Sequence, residues 1–496
     1  MRSWLLGCAL SFPLVGFACG DDDPNGPGGM TPDPGDPSGP GGGTAGGGAG
    51  AATDDPTPLA QSGGRLKRRN NMIGAVAQFV DWFDTTLGVA CSLVETSLDT
   101  LHCVPDSSMS LVYLDAACTQ PAALQDDCAD GDFVVSRTRA PFCEDDAFDE
   151  VSVFRKGSPR ESATPIFVRN GSDTCRASAV GDGSTLYDVT EVGRGDLARA
   201  TLSVEPRGAG LSARVFQGAD ESAGIFGLLD AERDGERCRA TVLPGQSEPV
   251  CLPRSAAAHQ GYFVTDTCMS TLVVAPFCGA PPAFGYQVVE EQGCDIATLF
   301  FETGGSAEGR GLMLNGFCFD GVDPLSGFAL EPMLAEPPAV PLTLAEETVA
   351  GVRVRRATDS EGNVVAELGL RLAETDEPCT LRRTVGGFRC LPGGEESGDL
   401  IGLFSDAACT QPIAQAAVNS CADGYAYETS RELVGSCPGP SQVDTLYRFD
   451  APAEGPRYDR SEGGACSPVG NAPFRTLGPP LSPLLFPVVE NLQVEQ

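Results

Sequence analysis

The chain has 496 residues, with 33 Lys plus Arg against 68 Asp plus Glu, a formal charge of −35. That length excludes a single small domain and leaves room for several domains or one large repeat architecture. The charge leaves no basic surplus to neutralise a phosphate backbone or an anionic lipid leaflet, which argues against nucleic acid as a partner. Lys67 and Lys156 are the only lysines, and with 61 glycines this composition reads as that of a GC-rich bacterial genome.

Residues 1–18 form the first element: Arg2 followed by an apolar run through Ala18. The run is too short to span a bilayer and reads as an export signal. Gly16, Phe17, Ala18 and Cys19 resemble the lipobox of bacterial lipoproteins, so Cys19 is the predicted lipidation site and a bacterial cell envelope the expected location; Phe17 departs from the small residue usual at its position. The alternative is a soluble secreted protein. Leu5, Leu6, Gly7 and Cys8 fit the same pattern but leave almost no apolar run ahead of them. Residues 19–64 are mostly Gly, Pro, Asp, Ala, Thr and Ser. Such a segment cannot bury enough apolar surface to offset its ordering entropy, and it reads as an extended tether. Residues 65–90 are expected to be a flank, with Arg65, Lys67, Arg68 and Arg69 as a solvated basic cluster and Ile73 to Leu87 helical in pattern.

Three sextets of cysteine follow. Cys91, Cys103, Cys118, Cys128, Cys143 and Cys175 form the first; Cys238, Cys251, Cys268, Cys278, Cys294 and Cys318 the second; Cys379, Cys390, Cys409, Cys421, Cys437 and Cys466 the third. The spacing repeats, and so do the neighbours. Val104-Pro105, Leu252-Pro253 and Leu391-Pro392 follow each second cysteine, and Asp115-Ala-Ala-Cys-Thr-Gln-Pro121 returns as Asp406 to Pro412. The chain therefore divides into repeat modules at 91–225, 226–350 and 351–475, with a C-terminal tail at 476–496. Zinc would want closely spaced Cys pairs or interleaved His, and the only histidines are His102 and His259, so disulfides are the expected use of all 18 cysteines. Six cysteines allow 15 pairings per module. Local bridges are expected: first to second, third to fourth, fifth to sixth.

Within a module the pattern is of short strands. Val364, Ala366, Leu368, Leu370 and Leu372 alternate with polar or small residues, and Asp359-Ser-Glu-Gly-Asn363 reads as the turn before them. The expected fold is all-β: a threefold disulfide-rich repeat forming a β-propeller of about six blades, or alternatively three tandem β-sandwiches or barrels. Closure of a ring could draw its missing strand from residues 472–496.

No nucleophile elbow, zincin helix or phosphate-binding loop is present. No enzyme activity, cofactor or metal is expected. Asp115, Asp406, Asp130 and Asp423 recur at matching positions and read as turn aspartates before calcium ligands. Tyr113, Phe263, Phe300, Phe404 and Tyr447 read as core before a sugar-stacking platform. Asn170-Gly171-Ser172 is a glycosylation sequon by pattern.

The repeated Asp-Ala-Ala-Cys-Thr-Gln-Pro segments, Arg389-Cys390-Leu391-Pro392, and Trp82 through Cys91 resemble the cysteine-repeat proteins, often with lipoprotein signals, of myxobacterial genomes. The resemblance covers about residues 73–470 and implies an address and a repeat plan, with no assigned activity. The functional expectation is an exported, lipid-anchored surface or periplasmic β-repeat protein with a binding or structural role toward protein or glycan ligands, touching the membrane through its N-terminal anchor. The alternative is a secreted hydrolase or carbohydrate-active protein using paired carboxylates.

Overall fold

The alternating run Val364 to Leu372 read from the sequence of the third module becomes a strand, because an extended chain sets successive side chains on opposite faces. The computed structural model describes residues 58–495 apart from short segments at 127–130, 139–149, 162–164, 170–173, 182, 209, 259–261, 265–271, 275–281, 291–295, 315–316, 335–338, 394–397, 401, 415–423, 432, 435–436, 439–440 and 461–464. The described residues are all-β, with three single-turn 3-10 segments and no α-helix.

Sixteen strands carry the plan. Labelled in chain order, they are β1 (Leu66–Ile73), β2 (Val76–Asp84), β3 (Val89–Ser97), β4 (Thr100–Pro105), β5 (Arg199–Pro206), β6 (Leu211–Gly218), β7 (Ala223–Asp230), β8 (Glu236–Thr241), β9 (Val250–Pro253), β10 (Val340–Pro341), β11 (Thr343–Val349), β12 (Val352–Thr358), β13 (Val364–Leu372), β14 (Pro378–Thr384), β15 (Gly387–Pro392) and β16 (Val488–Val494). Antiparallel pairing runs from β1 through β4, from β4 to β5, onward to β9 and from β9 to β10. After Leu342 it continues from β11 to β15, then to β16, and from β16 back to β1.

This cycle of pairings has threefold repetition. β3–β4, β8–β9 and β14–β15 are the cystine hairpins, and each hands over to the first strand of the next repeat: β5, β10 and β16. In pairing terms the second and third repeats therefore start at Arg199 and Val340, and the first takes its opening strand from the far end of the chain.

Each repeat also carries strands of its own beyond the cycle. The first has a seven-stranded sheet running from Cys175–Ser178 to Phe133–Thr138. The second has a six-stranded sheet dominated by the long hairpin Ile296–Leu314 and Phe317–Leu334. The third has the hairpin Gln442–Arg460 and Cys466–Leu481, joined to the cycle where Thr384 meets Val443. The expected propeller of about six blades is not detected in these sheets, which among the described residues hold 22, 7, 6 and 2 strands. What stands is a disulfide-rich all-β fold.

The residues expected to be a flank are core strands. Ile73 to Leu87, helical in pattern, contains the whole of β2, paired to β1 across a turn at Gly74. Gly74 has φ +58°, and a Cβ there would lie 2.8 Å from Val349 Cγ1, so glycine alone fits both the turn and the neighbour. The helical impression has a physical source: Val80 is an extra residue in a β-bulge opposite Arg69 and Asn70, which breaks the period of two. Order also begins before residue 65. Ala60 and Gln61 pair with β7, and Asp220 Oδ2 accepts from the backbone N–H of Arg65 at 2.7 Å and of Leu66 at 2.6 Å.

Three hydrophobic clusters sit at the three handovers. Trp82, Leu101 and Cys103 of the first repeat pack with Ala198, just before the handover, and with Ala200 and Phe216 of the second. Leu211, Val215 and Cys251 of the second pack with Val340, Leu342 and Val365 of the third. Val352, Leu370 and Cys390 of the third pack with Ile73, Val76 and Val489. Burial of this kind is the main stabilising term, at roughly 25 cal/mol per Å² of apolar surface.

Candidate functional site

The features that recur from repeat to repeat are where function would be built, and three can be followed residue by residue. The first is the cystine hairpin. Cys91–Cys103, Cys238–Cys251 and Cys379–Cys390 are bonded, and in each hairpin the first cysteine faces the proline two residues beyond the second. The identical diagonal register makes the three bridges equivalent.

The second is the turn around the third cysteine. Cys118 bonds Cys175 and Cys409 bonds Cys466, each across 57 residues. This corrects the expected third-to-fourth and fifth-to-sixth bridges. The partner is the sixth cysteine because the strand carrying it, or the one beside it, folds back over the turn: Ile166–Arg169 lies between Cys175–Ser178 and Ser110–Tyr113, and Gln442–Arg460 lies between Cys466–Leu481 and Leu403–Phe404. The other cysteines, Cys128, Cys143, Cys268, Cys278, Cys294 and Cys421, lie outside the described residues, and the side chains of Cys318 and Cys437 are likewise outside them.

Asp115 builds this turn. Its Oδ1 accepts from the N–H groups of Thr119 and Gln120, both at 2.8 Å, and its Oδ2 from the Thr119 hydroxyl at 2.7 Å. Asp406 repeats the pattern with Thr410 and Gln411 at 2.7 to 2.9 Å. The hydroxyl of Thr119 foremost, then the Gln120 N–H, holds the Asp115 carboxyl below the usual range, and Thr410 and Gln411 do the same for Asp406. Cys118 and Cys409 both sit at φ +51°. Arg169 and Arg460 donate to the carbonyls of Cys118 and Cys409 while lying over the rings of Tyr113 and Phe404, at 5.2 and 4.6 Å from the centroids. These carboxylates are spent inside the turn and act as structural aspartates. Asp130, Asp423 and the Asn170 sequon lie outside the described residues.

The third is a level of charge at the bulges. Val80, Phe226 and Leu368 are the extra residues of bulges at matching places in all three repeats, and Arg69, Arg214 and Arg355 stand immediately before them. Each arginine takes a carboxylate from a different strand. Arg69 grips Asp81 of β2. Arg214 grips Glu95 of β3 at 2.5 Å, with Arg237 on the same carboxylate at 2.7 Å. Arg355 pairs with Glu346 of β11 at 3.0 Å. Burial alone would push the Glu95 carboxyl up, but hydrogen bonds and charge from Arg214 and Arg237 outweigh it and hold it low. The same level joins the first repeat to the third, where the Phe79 N–H donates to Glu367 Oε1 at 3.3 Å; burial pushes that carboxyl up. The basic cluster at 65–69, expected to be solvated, is thus drawn into the fold, with Arg65 on Asp84 at 2.7 Å and Arg68 over the Phe79 ring.

None of this is laid out as a catalytic constellation. His102 is buried in β4 with Nδ1 2.7 Å from the Thr96 hydroxyl, and His259 lies outside the described residues. Asp106 is pushed up by burial and then by the charge of Asp81, but Asp81 is committed to Arg69. Among the described residues no three His, Cys, Asp or Glu side chains cluster as metal ligands. Of the recurrent aromatics, Tyr113 and Phe300 are core, while Phe404 and Tyr447 are half-buried; the side chain of Phe263 lies outside the described residues.

Five disulfides among the described residues mark a chain folded in an oxidising, extracytoplasmic environment. No helix among them is long and apolar enough to cross a membrane. No curated protein and no solved structure matches the chain. The model of a family of unknown function, DUF7481, matches residues 47–481 and so takes in nearly all of the three repeats; the chain belongs to that family.

Proposed function

We propose that the chain is an exported protein of the bacterial cell envelope, anchored by lipid at Cys19, whose three repeats close into a ring that presents a rigid acidic surface for binding or structural use. The observation that carries this reading is where the body begins and ends. β16 pairs with β1, the Glu495 N–H donates to the Arg68 carbonyl at 2.9 Å, and the Ser62 hydroxyl donates to Glu495 at 2.5 Å. The first described residues thus lie beside the last ones, at the seam of the body. The recurrent aspartates and arginines support a scaffold role, since their hydrogen bonds and charges are used within the fold. Protein or glycan ligands are the partners proposed.

The test is fractionation. Cys19→Ala should move the protein from the membrane fraction to the soluble fraction, and persistence in the membrane would overturn the anchor. Capture of a protein or glycan ligand should disappear on reduction of the disulfides; capture that survives full reduction would overturn the rigid-surface reading.

A further inference from the structure

The cystines of this chain are seated in two different ways. Cys91 and Cys103, and Cys379 and Cys390, lie within the hydrophobic clusters at the handovers, and Cys251 does so with Cys238 packed against it. Each of these bridges joins neighbouring strands that are already paired. Cys118–Cys175 and Cys409–Cys466 belong to none of those clusters, and in each the sixth cysteine is half-buried beside exposed neighbours.

What the outer bridges fasten is thinly held. In the first repeat, Ile166–Arg169 and Cys175–Ser178 form a two-stranded ribbon at the edge of the seven-stranded sheet. Its backbone meets the rest of that sheet at one register pair, Phe167 with Tyr113. Among its side chains only Ile166 is buried. In the third repeat the end of the long hairpin, residues 458–460 with 466–468, meets Leu403–Phe404 at two register pairs. Arg169 and Arg460 add the same hook, a hydrogen bond to the carbonyl of the third cysteine.

The other side of each bridge is held without it. The turn carrying Cys118 is fixed by the hydrogen bonds onto the Asp115 carboxylate and by the Cys118 N–H on the Asp115 carbonyl at 3.0 Å, and Asp406 and Cys409 repeat the arrangement. A thiol left at Cys118 or Cys409 therefore keeps its place, and the hook of Arg169 or Arg460 guides the ribbon back to it.

We propose that Cys118–Cys175 and Cys409–Cys466 are redox latches: a dithiol reductant opens them and frees the outer ribbons of the first and third repeats, while the hairpin cystines keep the cycle of strands closed. A thiolate of the dithiol attacks the sulfur of half-buried Cys175, forming a mixed disulfide and expelling the Cys118 thiolate, which takes up a proton. The second thiol of the reductant loses its proton, closes on the first sulfur and releases Cys175 as a thiol. The dithiol is oxidised to its disulfide, and the cystine takes up the two electrons and two protons. The surface offered to a ligand changes while the body stays folded.

Full-length native protein is titrated with dithiothreitol, trapped with N-ethylmaleimide and mapped by mass spectrometry. Cys118, Cys175, Cys409 and Cys466 should label about tenfold faster or more than the cysteines of the three hairpins. At that stage amide exchange should rise in residues 166–169 and 175–178 and stay slow in β1 and β15, and oxidised glutathione should reverse both changes. Hairpin cystines that open as early, ribbon amides unchanged after labelling, or loss of protection in β1 when the first bridge opens would each overturn the proposal. Cys118→Ser with Cys175→Ser should raise exchange in the same ribbon with no reductant present, and an unchanged ribbon would equally overturn it. The wild-type titration decides the matter whether or not that variant folds.

Discussion

If the C-terminal strand is a structural member of the first repeat, its side chains must differ sharply in worth. Val489 is 2 % exposed, packed with Ile73, Val76, Val352 and Cys390, while its neighbour Val488 is 52 % exposed. Val489→Ala removes two methyl groups. At about 0.8 kcal/mol each that forfeits roughly 1.6 kcal/mol of transfer free energy. The surrounding strands are paired on both sides and can collapse little, so a cavity cost brings the expected total to about 2–3 kcal/mol. Val488→Ala should stay within about 0.5 kcal/mol. Urea titration followed by tryptophan fluorescence measures both. Equal, small effects at the two positions would refute the reasoning, because they would mean that the strand carries no inward face.

Other perturbations test separate parts. Glu95→Gln should cost about 3 kcal/mol by leaving Arg214 buried without its charge partner, less whatever half-exposed Arg237 retains in solvent. Because the folded Glu95 carboxyl is held low, its contribution is complete above the usual carboxylate range and fades as pH falls through the folded value; urea titrations at descending pH should show the wild type converging on the variant, and a constant gap would contradict the ion pair. Gly63→Ala should destabilise by about 1–3 kcal/mol, because a Cβ would lie 2.4 Å from the Asp220 carbonyl oxygen and the Ser222 nitrogen; a neutral result would show that residues 58–64 do not dock. Non-reducing peptide mapping should find Cys118–Cys175 and Cys409–Cys466, and repeat symmetry extends the expectation to Cys268–Cys318, with the fourth and fifth cysteines of each sextet joined to each other; a third-to-fourth bridge in any sextet would contradict the symmetry.

Much of the fold was legible because simple patterns dictate it. Val364 to Leu372 alternates in sequence and is a strand from end to end, although the bulge at Leu368 switches the buried side from Val365 before it to Leu370 and Leu372 after it. Asp359 was readable as a turn residue, and its Oδ1 accepts from the N–H groups of Glu361 and Asn363 at 2.9 Å. The possibility that the tail supplies a closing strand could be raised from the missing hairpin of the first repeat. The bulge at Val80 was not legible, since an extra residue in one strand shows only against its partner. The long hairpins of the second and third repeats were hidden by Pro324, Pro332, Pro452 and Pro456, which read as breaks but lie within long outer strands. The third-to-sixth bridges left a usable signal, the same separation of 57 residues in two sextets, overlooked because short loops look more natural than long ones. The charge level at the bulges had no linear signature, because Arg69, Arg214 and Arg355 become equivalent only through pairing.

Hydrogen exchange of the native, oxidised protein at residues 488–495 tests the cycle most directly. Amides of this segment that bond to β1 and β15 are expected to exchange as slowly as those within β1 and β2, and far more slowly than the same amides in a short unstructured peptide. Exchange of 488–495 at the unprotected peptide rate would contradict the closing strand and with it the threefold architecture.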